Sequence, residues 1–284
     1  MSKIQVITDT DSNLPIELAE KHGILLVPIT IQFGEESFAD FYEIQNPELF
    51  DRIDKIGKLP TTAAPSPAAF SKTFHQAFDS GAESVICITV GSKISRTYES
   101  ALIAVEDFPG KKITVIDSEF LTMGQGYMAL IAADSIKNGA SHEEAVAKVK
   151  SLIPRCILYG SLSTLKYLAL GGRVSTLAAS MANMLNIRPI LCMRDGKLDL
   201  LEKVRTRKAA MDRLVELLVK AVDGKPVERI CFVHVLNLED AEFLKSKLES
   251  QLKLPDLVEF YDFGPGVSVH TGVGLVGCFI LTGE

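Results

Sequence analysis

Residues 85–102 read, in order, Val85 Ile86 Cys87 Ile88 Thr89 Val90 Gly91 Ser92 Lys93 Ile94 Ser95 Arg96 Thr97 Tyr98 Glu99 Ser100 Ala101 Leu102. The apolar first part is typical of a buried strand, and the last part is typical of a helix. A strand-to-helix turn directs unpaired backbone N–H groups and the positive end of the helix dipole at one spot, and here hydroxyl groups lie beside that spot. The turn therefore predicts an anion site. A serine that only caps the helix is the alternative, because Ser is a preferred N-cap.

Short apolar runs alternate with helical patterns on both sides of this turn. The patterns predict strands over 6–7, 24–31, 85–90 and 113–116, and helices over 15–22, 68–78, 98–105 and 126–138. Ser141 followed by Glu144 is the signature of a capping box that begins another helix. This alternation predicts an α/β fold, with a first domain over residues 1–153 that contains a mostly parallel sheet flanked by helices.

Residues 154–284 follow a different pattern. Strands are predicted over 156–159, 189–193, 198–204, 230–235, 258–261 and 275–281, with helices over 207–222 and 238–252 and a helical stretch that ends at Gly171 and Gly172. The segment therefore predicts a C-terminal α+β sheet domain. Because no flexible linker separates the two domains, we expect a fixed interface between them, and ligand pockets tend to lie at such interfaces.

Composition and charge exclude several classes of function. The chain has 284 residues, of which 47% are hydrophobic, and a net charge of −6, so nucleic acid is not an expected partner. The basic cluster over 203–208 is interpreted as a solvated strand or loop, or as a docking site for an acidic protein. The 5 cysteines form no C-x-x-C pair, which predicts neither zinc nor disulfides and suits a reducing cytoplasm.

No targeting or membrane segment is predicted. The N-terminal sequence reaches Asp9 too soon for the apolar region of a signal peptide. The uncharged stretch between Arg173 and Arg188 is too short to span a membrane and contains several polar residues. We therefore expect a cytoplasmic protein, with a helix over 177–187 that has an apolar, small-residue surface.

Other polar segments offer alternatives that the residues alone leave open. Asp9 and Asp11 could bind a metal, but their position after a strand favours a turn or cap. Residues 272–277 match G-x-G-x-x-G, yet a strand follows where a dinucleotide site needs a helix. Ser95 with His270 as base would make a serine hydrolase, although no G-x-S-x-G elbow is present. Phosphate compounds are a further ligand class that the turns would suit.

Taken together, the polar segments resemble the DegV family, which includes the FakB fatty acid-binding proteins. The resemblance covers nearly the whole chain, and its order and spacing are more specific than any single motif. It is carried by Thr8 Asp9, Leu14 Pro15, Pro60 Thr61 Thr62, Pro65 Ser66, Ser92, Ile94 Ser95, Thr97 Tyr98, Asp117 Ser118, Leu168, Gly171 Gly172 Arg173 Val174, Arg188 Pro189 Ile190 Leu191, Gly196 Lys197, Arg205 Thr206 Arg207 Lys208, Gly264 Pro265 and His270 Thr271 Gly272.

The resemblance implies a bacterial protein, not itself an enzyme, that encloses one long-chain fatty acid in an apolar tunnel between its domains. It implies that the protein presents the carboxylate to a separate fatty acid kinase, which forms an acyl phosphate for phospholipid synthesis, with transient membrane contact. No cofactor or metal is implied. The ligand-binding residues carried over from the family are Thr61, Thr62, Gly91, Ser92, Ser95, Arg173, His270 and Thr271, and the helix over 177–187 is a candidate tunnel wall. Arg96, where the family usually has Gly, either adds a charge there or points outward.

Overall fold

A computed structural model describes residues 3–171 and 187–284. Its elements, in chain order, are β1 (Ile4–Asp9), α1 (Ile16–Lys21), β2 (Leu25–Val27), β3 (Thr30–Phe33), β4 (Glu36–Ala39), α2 (Asn46–Ile56), β5 (Thr61–Ala63), α3 (Pro67–Asp79), β6 (Ser84–Thr89), α4 (Thr97–Val105), β7 (Lys112–Asp117), α5 (Met123–Lys137), α6 (His142–Leu152), β8 (Cys156–Ser161), α7 (Lys166–Gly171), β9 (Arg188–Arg194), β10 (Lys197–Val204), α8 (Arg207–Val222), β11 (Val227–His234), α9 (Leu238–Glu249), β12 (Glu259–Asp262), α10 (Pro265–Thr271) and β13 (Val276–Thr282). The predicted α/β fold class is confirmed.

The chain divides into two compact units. Unit 1 comprises Met1–Glu43 and Thr62–Pro154, and unit 2 comprises Ile44–Thr61 and Arg155–Glu284. The sequence predicts a single boundary at 153/154 and does not anticipate that 44–61 belongs with the second unit. Packing explains the difference, because α2 lies against α10, and Asn46 Nδ2 donates a hydrogen bond to the Phe263 carbonyl at 2.6 Å.

Unit 1 is built on a four-stranded sheet in the order β2-β1-β6-β7, and all of its strand pairs are parallel. Every residue of β6 is buried, which explains its continuous apolar sequence. Helices α3 and α4 contribute Phe70, Phe74 and Ala101 to the core on the sheet, while α5 and α6 pack on β1, β6 and β7. The chain goes from β1 to β2 on one side and later to β6 on the other, so the strand order reverses between β1 and β6.

One predicted strand of unit 1 is wrong. The apolar run over 24–31 forms two strands that belong to different sheets, β2 beside β1 and β3 in a small sheet of order β4-β3-β5. Pro28 lies between them, and a proline has no N–H to give to a sheet ladder. The chain turns there, and the Ile29 N–H is bound by Thr10 Oγ1 at 3.1 Å instead.

Unit 2 contains a six-stranded sheet in the order β10-β9-β8-β13-β11-β12, in which only the β11–β12 pair is parallel. Met211, Leu214 and Leu218 of α8 pack with Leu244 and Leu248 of α9 in one hydrophobic cluster with the sheet. The predicted hairpin around Asp195 and Gly196 is formed by β9 and β10. Gly277, the last glycine of the G-x-G-x-x-G match, already lies within β13, so a strand is present where a dinucleotide motif needs a helix, as predicted.

Candidate functional site

The two loops that leave the carboxyl ends of β1 and β6 lie at the point where the strand order of unit 1 reverses. In open parallel sheets, ligands bind at the carboxyl ends of the strands at this point. Residues 10–12 follow β1, and residues 90–96 follow β6 and lead into α4. The topology therefore supports the sequence prediction of a binding site at the turn over 90–96, which we call the β6–α4 turn.

Most backbone N–H groups of the β6–α4 turn already have partners, which corrects the expectation that they are unpaired. Gly91 donates to the Phe120 carbonyl at 2.7 Å, and Ser92 donates to Asp117 Oδ1 at 3.1 Å. Ile94 and Ser95 both donate to the Gly91 carbonyl, at 2.9 and 3.2 Å. A ligand would therefore meet mainly side-chain hydroxyls, together with the first N–H groups of α4, which a helix leaves without an internal partner.

The hydroxyl groups of the β6–α4 turn form a pair at the start of α4. Ser95 Oγ lies 2.8 Å from Thr97 Oγ1, and Thr97 is fully buried while Ser92 and Ser95 are half-buried. The N-cap residue of α4 is Arg96, without a side-chain capping bond, so the simple Ser-cap alternative is wrong. The side chain of Arg96 is exposed.

A second loop, residues 117–122, packs against the β6–α4 turn. An alanine Cβ at Gly91 would lie 3.3 Å from the Glu119 carbonyl carbon and the Phe120 nitrogen, so only glycine allows this close approach without a shift. Asp117 Oδ1 accepts from the N–H groups of both Ser92 and Glu119. Asp117, of the Asp117 Ser118 motif, therefore helps to hold the β6–α4 turn in its conformation.

A buried carboxylate joins the two loops at this edge of the sheet. Asp9 Oδ1 accepts from the Asp11 N–H at 3.0 Å, while Oδ2 accepts from the Val90 N–H at 2.9 Å and from Gln125 Nε2 at 3.0 Å. Complete burial raises the pKa of Asp9 to about 6, and these hydrogen bonds oppose that rise. The predicted turn and cap function of Asp9 is confirmed, because Asp9 is the N-cap of the short helical turn over residues 10–12.

The His-Thr-Gly segment of unit 2 is helical. His270 is half-buried and Thr271 is buried in the last turn of α10, a helix that is not among the predicted ones. Thr271 Oγ1 approaches the carbonyls of Val267 and Ser268 at 3.3 and 3.4 Å. The Thr271 hydroxyl is therefore occupied within its own helix.

The remaining predicted site residues lie in different parts of the chain. Thr61 of β5 is exposed and belongs to unit 2, whereas Thr62 of β5 is half-buried and belongs to unit 1. Gly91, Ser92 and Ser95 are brought together in unit 1, as are His270 and Thr271 in unit 2. Arg173 and almost all of the predicted 177–187 helix lie outside the described residues, so their roles stay predictions, as does the tunnel.

The histidines of unit 1 offer no base for Ser95. His22 Nδ1 bonds Asp134 at 3.0 Å, and His142 bonds Ser84 and Thr114. The ring of His75 packs on Phe108, with ring centroids 4.6 Å apart. The Ser95 hydroxyl bonds to Thr97, so no described residue of unit 1 activates this serine as a nucleophile.

Sequence reasoning missed Gln125 as a residue of this network. It lies in the first turn of α5, fully buried, and also donates to Thr8 Oγ1 at 2.9 Å. The available signal was a lone amide between two glycines, Gly124 and Gly126, inside a helix of small and apolar residues. A polar side chain at such a position needs a buried partner.

Two searches of the described part of the chain add no further site type. Within residues 3–171 and 187–284, no three or more His, Cys, Asp or Glu side chains are grouped so that they could hold a metal ion. Nor does any helix in these ranges combine the length and the apolar composition that a membrane crossing requires.

Comparisons with known proteins identify the family. The DegV family model matches residues 3–283. A DegV domain-containing protein of Caldanaerobacter subterraneus subsp. tengcongensis is 33% identical over 279 residues, which cover 98% of this chain and 99% of the relative. A DegV family protein from Thermus thermophilus, whose structure is described as fatty acid binding, superposes with a TM-score of 0.92 at 26% identity over 99% of both chains. DegV of Bacillus subtilis, described as a fatty acid binding protein, gives a TM-score of 0.86 at 30% identity over 99% of this chain and 100% of its own. This chain therefore belongs to the DegV family.

Proposed function

We propose that this protein binds one long-chain fatty acid and is a lipid-binding protein rather than an enzyme. The observation that carries the proposal is the close similarity, over the full length, to DegV proteins whose structures are described as fatty acid binding. The β6–α4 turn supplies hydroxyl groups at the edge of the sheet where the topology favours a ligand. The chemistry of that turn suits a carboxylate.

Ser92 and Ser95 are proposed to bind the carboxylate through their half-buried hydroxyls, with Gly91 giving the turn its shape. The resemblance to the family supports further contributions from Thr61, Thr62, Arg173, His270 and Thr271. Because Thr271 already bonds to its own helix, we expect a smaller contribution from its hydroxyl than from that of Ser95.

The tail and the carboxylate of the ligand contribute differently to the free energy of binding. Burying roughly 15 methylenes at about 0.8 kcal/mol each would give on the order of 12 kcal/mol of gross stabilisation. Hydrogen bonds to a charged headgroup contribute about 1.5 to 3 kcal/mol each, and the desolvation of the carboxylate largely offsets them. The tail therefore supplies affinity, and the polar residues set the orientation.

The binding proposal is tested by the ligand that the purified protein carries. Denaturing mass spectrometry of organic extracts is expected to show a fatty acid at a ratio near one per chain. Protein stripped of lipid is expected to take up added palmitate or oleate. Extracts without lipid, combined with no uptake of either fatty acid, would contradict the proposal.

We further propose that the bound carboxylate is presented to a separate kinase, with an acyl phosphate as product. The resemblance to the FakB proteins supports this step. Loaded protein is incubated with ATP and a fatty acid kinase from a bacterium that has DegV proteins, and hydroxylamine then converts an acyl phosphate to a hydroxamate that mass spectrometry detects. Absence of the hydroxamate, with a FakB protein as positive control, would remove the kinase step but leave fatty acid binding intact.

A further inference from the structure

The strongest feature of unit 1 that the proposed function does not yet use is the carboxylate of Asp9. Its two oxygens bind different loops: Oδ1 holds the N–H of Asp11 after β1, and Oδ2 holds the N–H of Val90 at the start of the β6–α4 turn. Gln125 of α5 donates to Oδ2 and also to Thr8 Oγ1. One side chain therefore connects both loops and a helix at the edge where strand order reverses.

We infer that Asp9, with Gln125, is a positioning residue for fatty acid binding, which holds the β6–α4 turn in the shape that places Ser92 and Ser95 against the ligand carboxylate. Asp9 acts through the Val90 N–H, one residue before Gly91. This inference rests on the proposed function and extends it to a residue that is fully buried within unit 1.

Several costs to stability meet at this one place. The fully buried Asp9 is ionised above about pH 6, where its pKa lies, and none of the groups that shift this pKa is a cation. The pKa of the Cys87 thiol on β6 is raised by burial and by the charge of Asp9. Gln125 Oε1 is buried without a hydrogen-bond partner among the described residues. Thr122, the N-cap of α5, has a φ of 53°, which is unfavourable for a β-branched residue.

Such departures from the rules of stability are typical of functional sites, because stability alone would favour a neutral residue there. A structural carboxylate in this position would gain from a nearby Lys or Arg, and the described contacts give it none. A carboxylate nevertheless does what a neutral amide cannot. It accepts hydrogen bonds at both oxygens, whereas an asparagine has one accepting oxygen and would turn an NH₂ group toward either Val90 or Asp11.

The test compares Asp9→Asn with His142→Gln, both in unit 1. His142 is buried, and it bridges Ser84 and Thr114, at the end of the sheet away from the β6–α4 turn, so His142→Gln reports the effect of lost stability alone. Palmitate and oleate affinities at pH 7.5 and thermal unfolding of lipid-free protein are measured for each variant. We expect Asp9→Asn to weaken both fatty acids about tenfold, which is what losing one hydrogen bond to a charged group amounts to. We expect His142→Gln to lower the unfolding temperature with affinities within about twofold of wild type, a range set by the independence of distant sites.

A merely structural role of Asp9 predicts that affinity and stability change together in both variants, and that result would overturn the inference. Fatty acid affinities of a folded Asp9→Asn protein equal to those of wild type would also overturn it. If Asp9→Asn does not fold, Gln125→Leu replaces it in the comparison with His142→Gln. This variant keeps the Asp9 carboxylate and removes one of its hydrogen-bond donors. Its expected loss of fatty acid affinity is about threefold. Wild-type protein that binds neither fatty acid would overturn the proposed function itself, and the inference with it.

Discussion

Ser95 links the β6–α4 turn to the first turn of α4 through its 2.8 Å hydrogen bond with Thr97. We predict that Ser95→Ala weakens palmitate and oleate binding by roughly tenfold or more, because one hydrogen bond to the charged carboxylate is worth about 1.5 to 3 kcal/mol. Titration of lipid-free protein measures the change. Ser100→Ala, one helical turn further along α4, is the matched control and should bind like wild type. Equal affinities for the Ser95 variant and this control would exclude Ser95 from the site.

Gly272 ends α10 directly after Thr271, with a φ of 77°. An added Cβ would lie 2.3 Å from the ring of Tyr167, and that ring packs edge-on against Phe50 with centroids 6.2 Å apart, so it has little freedom to move. We predict that Gly272→Ala lowers the free energy of unfolding by about 2 to 5 kcal/mol, from positive φ and overpacking together. Urea unfolding measures it.

Gly224 is a control for a positive φ without a close contact. Its φ is 74°, and no atom lies within 4 Å of an added Cβ. Gly224→Ala is expected to cost only the roughly 1 to 2 kcal/mol of the left-handed conformation. Similar losses in the two variants would show that Tyr167 yields and that the close packing at Gly272 is unimportant.

At the scale of elements, α6 shows how a polar side chain can fasten a helix to a sheet. His142 Nδ1 lies 2.9 Å from Ser84 Oγ on β6, and Nε2 lies 2.7 Å from Thr114 Oγ1 on β7. Burial lowers the pKa of His142, and Lys112 adds to the effect. Because the unfolded chain then binds the proton more readily than the folded chain, this residue takes stability away as the pH falls through about 6.5.

We therefore predict that the stability difference between wild type and His142→Gln narrows as the pH is lowered from 7.5 to 5. The measurement is urea unfolding at a series of pH values, and the difference between the two proteins removes the titration of all other groups, Asp9 included. A difference that stays constant or widens toward acid would show that the imidazole is not kept neutral by its position.

Elements with strong local signals could be predicted from the sequence. The capping box of Ser141 and Glu144 begins α6 as expected, and the predicted helix over 207–222 matches α8. Helix α2 was missed although Pro47 near its start and Gly57 at its end are helix boundary signals, because its apolar face is short and lies between polar residues. The apolar pattern over 24–31 predicted one strand, but the chain turns at Pro28, because proline has no N–H to give to a sheet.

The candidate site divides in the same way. The β6–α4 turn could be predicted because a buried strand, a glycine and several hydroxyls follow one another in the sequence. The pairing of its N–H groups with Asp117 and Phe120 could not, because those partners lie more than 20 residues away in the chain. The same holds for Asp9 and Gln125, which are 116 residues apart and meet only through the order of the strands.

At the scale of the whole molecule, the two units are not two consecutive halves of the chain. Residues 44–61 leave unit 1 and pack within unit 2, where Asn46 bonds to the Phe263 carbonyl and Phe50 meets Tyr167. Unit 1 is consequently made of two separate chain segments, and cutting the chain at 153/154 would remove the unit 2 partners of residues 44–61. The two predicted domains therefore differ from the two packed units mainly in residues 44–61, which belong to unit 2.

The whole molecule is also the scale at which a bound fatty acid affects stability. A ligand that binds only the folded state adds about 2.7 kcal/mol at a free concentration one hundred times its Kd. For a protein of this size, that corresponds to a rise of roughly 5 °C or more in the unfolding temperature. We predict such a rise when lipid-free protein is supplied with oleate, measured by differential scanning calorimetry. Methyl oleate is the control, since it has the same tail without the charged head. A smaller rise with the ester would show that the carboxylate adds to the affinity, whereas equal rises would show that the tail alone accounts for the affinity, as expected where the desolvation of the carboxylate offsets its hydrogen bonds.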